Sequence, residues 1–213
     1  MINLKDRIVI LTSPSRQLHS AHPSRINRSR LFDRPFTFSC QTDLNTGGFL
    51  MAIFGKSNSM GIPNEVSLYV DEQNANIIGQ FCDTTYSEPV NLSVPYYKKE
   101  EVQTITFSLG KDSIVLRVEG EMKEKEISTW VNDFADFEMY LGGPGLHSED
   151  KFNFRGKVAS CGIYSRHTST GDVESIESSI VQRLDFKNRT SWKIFDESLN
   201  NLHAFYFNRN EFR

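Results

Sequence analysis

The sequence predicts an all-β fold built from antiparallel strands, and three observations carry that expectation. Short apolar stretches with two-residue alternation recur along the chain, turn residues separate them at short spacing, and no helical segment intervenes before Gly171. Parallel sheets would need long crossover segments, so the spacing favours hairpins and Greek keys.

The central hairpin is the clearest case. Across 102–109, Gln103, Ile105, Phe107 and Leu109 fall on one face of an extended strand, while Val102, Thr104, Thr106 and Ser108 fall on the other. Gly110-Lys111-Asp112 supplies turn chemistry, and the return strand from Ser113 carries Ile114, Leu116 and Val118 on one face. Gly120 breaks it. The stretch from Met122 to Ile127 is a charged strand, with Glu121, Glu124 and Glu126 interspersed with Lys123 and Lys125, a pattern that guards a sheet edge.

Before the hairpin, Ile8 to Leu11 is a first strand ended by Ser13-Pro14-Ser15, and Phe36, Phe38 and Cys40 share one face of a second. Gly47-Gly48 turns the chain into the nearly continuous apolar run from Phe49 to Phe54. Val66 to Val70 and Ile77 to Cys82 flank a turn at 71–76, and Asn91 to Tyr97 leads to the hairpin. Beyond it, Phe137 to Leu141 runs into Gly142-Gly143-Pro144-Gly145, and 154–164 forms another strand. From Gly171 the pattern changes. Asp172 is an N-cap candidate, and Val173, Ile176, Ile180 and Leu184 recur at three and four residues, which predicts one short amphipathic helix against a sheet edge. His203 to Phe207 is a closing strand expected to pair near the first.

Taken in order, TITFSLGKD (104–112), SIVLRVEGE (113–121), MYLGG (139–143) and FNFRGKVASCGIYSR (152–166) resemble the concanavalin A-like superfamily, specifically its laminin G-like branch. The resemblance covers Arg34 to Ile176. It implies a two-sheet antiparallel jelly-roll β-sandwich, residues 34–213, preceded at 1–33 by a strand and an arginine-rich arm. It also implies a binding module, since members serve in adhesins, secreted enzymes and the surface or tail structures of viruses.

Composition agrees with one domain of this kind. The 213 residues are 38% apolar and include 16 phenylalanines, whose rings can fill the space between two sheets about 10 Å apart. A net charge of −3 gives no field for nucleic acid. No run reaches the roughly 18 apolar residues of a membrane span. Lys5, Asp6 and Arg7 stand where an export signal needs an apolar centre, so synthesis in the cytoplasm without a signal peptide is expected. Cys40, Cys82 and Cys161 lack the paired spacing of a zinc or redox site and sit in strand-like apolar contexts as buried thiols.

Catalytic chemistry finds little support. Some members of the resembled superfamily are glycoside hydrolases with a strand-borne Glu-x-Asp-x-x-Glu signature, and nothing here matches it; Asp133, Asp136 and Glu138 are acids in the wrong order. The five histidines are scattered, His19 and His22 being the only close pair, and neither a Gly-x-Ser-x-Gly elbow nor a phosphate-binding glycine loop is present. No cofactor and no metal site is expected.

Recognition chemistry is better represented. Tyr96 and Tyr97 beside two lysines, and Trp130 beside Asn132 and Asp133, are aromatic and polar clusters of the kind that hold sugars. The arm carries Arg16, Arg25, Arg28, Arg30 and Arg34 against one acid, Asp33. Such a segment buries too little apolar surface to order itself, so it reads as an assembly contact. The expected function is a non-catalytic recognition and assembly subunit of a virion, phage or surface structure that contacts other subunits as an oligomer, and host glycan as well. A soluble carbohydrate-binding lectin is the alternative, and a glucanase-like hydrolase a remote one.

Overall fold

Alternating apolar residues give most strands an apolar face to bury, and here two layers of strands bury those faces against each other. The computed structural model describes residues 1–4, 7–11, 35–44, 47–54, 65–82, 89–96, 102–127, 138–143, 152–190, 193–198 and 204–208. Among them the strands are β1 (Ile2–Asn3), β2 (Arg7–Leu11), β3 (Phe36–Thr42), β4 (Gly48–Phe54), β5 (Glu65–Asp71), β6 (Asn76–Cys82), β7 (Val90–Pro95), β8 (Gln103–Leu109), β9 (Ser113–Val118), β10 (Glu121–Glu126), β11 (Glu138–Leu141), β12 (Lys157–Tyr164), β13 (Ile180–Arg189), β14 (Lys193–Asp196) and β15 (Ala204–Asn208).

All named pairings are antiparallel, and they follow one path that doubles back on itself. One layer runs β10-β9-β8-β3-β12-β13, with β1 also paired to β12, and the other runs β2-β11-β4-β5-β6-β7; β14 and β15 carry the ladder between them. The result is an antiparallel two-layer β-sandwich, the architecture that the resemblance implied. The pairing expected between the chain's first and closing strands is present, with Phe205 opposite Ile10 and Phe207 opposite Ile8.

Phenylalanine fills the space between the layers. Phe36, Phe38, Phe81, Phe107, Phe154 and Phe186 are all fully buried. Phe107 lies opposite Phe38 in β3 and opposite Leu116 in β9, so three adjacent strands present one apolar row. The other layer meets it closely: a Cβ on Gly79 of β6 would stand 2.6 Å from the Phe107 ring. Only a residue without a side chain lets the strands approach to that distance.

At the open end of the first layer, all six residues of β10 are exposed although they pair in full register with β9. The alternating Glu and Lys there keep another strand from adding to the edge.

The helix expected after Gly171 is much shorter than its spacing implied. A 3₁₀ segment spans Glu174–Ser179, and Ile180 to Leu184 belong to β13. The N-cap position is Val173 and not Asp172, which lies one residue before it and accepts the Glu174 N–H at 3.0 Å. The physical reason for the shortening is that positions 176, 180 and 184 are four apart, a spacing that fits a strand's period of two as well as a helical turn. Gln182, Leu184 and Phe186 alternate inward, and pairing with β12 decides the outcome.

Candidate functional site

Two of the surface recesses are lined by described residues. The first is a cleft of about 570 Å³ at the rim of the second layer, lined by Tyr69, Asp71, Glu72, Gln73, Asn153 and Arg155 with Gly47 and Gly48. Its construction begins with a backbone requirement. Gly48 has φ +116°, and a Cβ there would lie 2.5 Å from the Asn153 carbonyl oxygen. Glycine at this point lets 152–154 run against the start of β4, where Phe49 and Asn153 form a parallel bridge.

That approach assembles three aromatic rings. Phe49 packs edge-on to Tyr69 of β5 with centroids 5.1 Å apart, and edge-on to Phe152 at 6.3 Å. Both are favoured T-shaped geometries. Tyr69 is half-buried, whereas Phe152 is 39% exposed and is the one aromatic among the exposed large apolar side chains of the described residues. Phe152 thus presents part of an apolar ring to solvent beside Phe49.

The polar side of the cleft comes from the turn between β5 and β6. The Asp71 carboxylate accepts the N–H groups of Gln73 and Asn74 at 3.1 and 3.2 Å and the Asn74 side-chain amide at 2.8 Å. Those donors, the Asn74 amide first, hold the Asp71 carboxyl below its ordinary range. Glu72 accepts the Gly47 N–H at 3.3 Å, tying the turn to the opposite lip. The cleft thus combines the Tyr69 ring, which Phe49 meets edge-on, with two carboxylates, two amides and one guanidinium.

The second recess, about 370 Å³, lies on the face of the first layer and is bordered by Ser39, Gln41, Thr104, Ser160, Tyr164 and Arg183 among others. Its polar groups largely serve one another. Ser160 donates to Gln41 at 3.1 Å, Arg183 pairs with Glu177 and hydrogen-bonds Tyr164, and Asp185 accepts the Lys187 N–H. Burial is the main cause pushing the Tyr164 hydroxyl above its ordinary value. Several polar groups of this surface thus already bond to neighbouring protein groups.

Of the aromatic candidates, Tyr96 is described and does not stand at the surface. It is 3% exposed, because Val90, Leu92, Val94 and Tyr96 alternate inward along β7 and its continuation. Its hydroxyl is buried without a hydrogen bond, and burial, followed by the Glu72 and Asp71 charges, pushes it above its ordinary value. Tyr97, Trp130, Asn132 and Asp133 lie outside the described residues, as do Arg16, Arg25, Arg28, Arg30 and Arg34, and Asp136. Among the described residues, no three His, Cys, Asp or Glu side chains gather to hold a metal ion, and no helix is long and apolar enough to cross a membrane.

No protein-family model matches the chain, and no curated protein is similar to it in sequence. Solved structures are similar in fold. Domains LG4-5 of the mouse laminin α1 chain superpose with a TM-score of 0.53 at 10% identity over 80% of this chain and 42% of that one. The CBM40 module of a Ruminococcus gnavus sialidase, bound to α2,3 sialyllactose, gives 0.51 at 13% identity over 68% and 83%. A candidate carbohydrate-binding protein from Bacteroides ovatus gives 0.61 at 9% identity over 94% and 56%. The chain therefore spans under half of the laminin structure and just over half of the Bacteroides protein. At these identities the likeness shows the fold.

Proposed function

We propose that this domain is a non-catalytic carbohydrate-recognition module whose binding site is the rim cleft. The observation that carries the proposal is the Tyr69 ring lining the cleft beside a turn of carboxylates and amides, with Phe49 edge-on to it and the exposed Phe152 edge-on to Phe49 in turn. A pyranose presents an apolar C–H face to such rings while its hydroxyls bond to carboxylates and amides at the edge. Two carboxylates, Asp71 and Glu72, against one guanidinium, Arg155, favour neutral sugars over acidic ones. The similar folds of the CBM40 module and the Bacteroides protein support a recognition role.

A glycan array probed with the full chain tests this. Neutral glycans are expected to bind, and Phe152→Ala and Tyr69→Ala are each expected to weaken binding tenfold or more, about 1.4 kcal/mol. An array without a bound glycan, or binding that both variants leave unchanged, overturns the proposal. The module serves within a larger assembly, with the arginine-rich segment of 16–34 as its contact. Deleting residues 13 to 33 is expected to abolish multimers in light scattering while sugar binding persists; an unchanged mass rejects the assembly role.

A further inference from the structure

Cys40 of β3 and Cys161 of β12 are direct partners across the antiparallel ladder. Directly opposed residues point to the same face, with Cα atoms roughly 4.5 to 5.5 Å apart. That separation falls inside the roughly 4.4 to 6.8 Å range of disulfides. Both side chains are buried, at 2% and 4% exposure, and both are free thiols. Phe38 and Ile163 pair on the same face of the ladder next to them, and the Asp196 carboxylate is close enough to act on Cys161.

We propose that Cys40 and Cys161 are a cross-link site, joined as a disulfide when the chain folds in the presence of a small-molecule disulfide oxidant and left as a dithiol when it folds under reducing conditions. The reaction is thiol–disulfide exchange. One cysteine thiolate attacks the oxidant's disulfide and expels a thiol; the second thiolate then displaces the other half of the oxidant from the mixed disulfide. Two protein thiols become one S–S bond, and the oxidant leaves as two thiols, so electrons and protons balance.

The timing follows from burial. In the folded domain, desolvation pushes the thiols of Cys40 and Cys161 well above their ordinary values, so little thiolate is present to attack. Both residues border the recess on the first layer, yet both are buried members of the core cluster. Exchange therefore belongs to folding, before the layers close. The bond, once formed, would shut a loop containing every strand from β4 to β11 and tie two central strands of the first layer together.

The test makes the full chain by cell-free synthesis, either with oxidised and reduced glutathione or with dithiothreitol. Free thiols are alkylated and the protein digested without reduction. A Cys40–Cys161 linked peptide is expected from the glutathione product only, with a melting temperature about 5 °C or more above that of the dithiol form. Cys40→Ala and Cys161→Ala should each abolish the linked peptide and the shift, and Cys82→Ala should keep both. Absence of the link, a link through Cys82, or a linked product that melts no higher than the dithiol overturns the proposal.

Discussion

The Thr37 and Ser108 hydroxyls stand 2.8 Å apart across β3 and β8, and their partners fix the direction of the bond between them. Thr37 donates to the Arg166 carbonyl at 2.7 Å, so its proton is engaged and Ser108 must be the donor to Thr37. Ser108 in turn accepts the Thr168 N–H at 2.8 Å. A three-bond chain thereby pins segment 165–179 across the face of the first layer.

Ser108→Ala is expected to cost about 1 to 3 kcal/mol, because it leaves the buried Thr168 amide without an acceptor as well as removing a bond. Thr37→Val should cost a comparable amount through the Arg166 carbonyl. Urea unfolding checks both, and a Ser108→Ala variant as stable as the parent would show that the strap is held by other means.

Gly48→Ala should destabilise the domain by about 1 to 3 kcal/mol. The new Cβ must adopt a left-handed backbone and displace the Asn153 carbonyl, a combination with no low-energy resolution. Because the same contact carries Phe152 to Phe49, the variant is expected to lose sugar binding more than Tyr69→Ala does. Thermal unfolding and the glycan array read the two effects separately.

His167 sets a pH response. Burial holds its imidazole below the ordinary value of 6.5, against the opposing pull of Glu124 and Asp112. Its Nε2 lies 3.5 Å from the Ser113 hydroxyl. With the folded value depressed, the unfolded chain binds the proton more readily, so this group's contribution is complete above about pH 6.5 and declines as pH falls toward the folded value. The melting temperature is expected to drop between pH 7 and 5, and His167→Asn should flatten that slope. An unchanged slope would assign the acid sensitivity elsewhere.

Much of the sandwich is written in local pattern. The alternation of Gln103, Ile105, Phe107 and Leu109 placed the apolar face of β8 correctly, though Thr106 and Ser108 on the other face are buried as well, and the pairing of the closing strand with the first followed from its apolar character. The pattern was ambiguous at Ile176, Ile180 and Leu184, where a spacing of four serves both helix and strand, and only the neighbouring β12 resolves it. The inward run through Val90, Leu92 and Val94 carried the signal that Tyr96 is buried; its place beside Tyr97 and two lysines drew attention to the surface instead.

The rim cleft was less legible for a different reason. Phe49, Tyr69 and Phe152 come from three separated segments, and exposure of one ring depends on how those segments meet. The available hint was Gly47-Gly48, since paired glycines before an apolar strand mark a close backbone approach, although not what approaches.

The passage of the ladder from one layer to the other through β15 and β2 has a kinetic consequence. On its other side β2 already has β11 to pair with, but on this side it lacks a partner until residues 205–208 have been made. Assembly of so distant a pairing is slow by nature, and the nascent chain waits longest with β2 uncovered on that side.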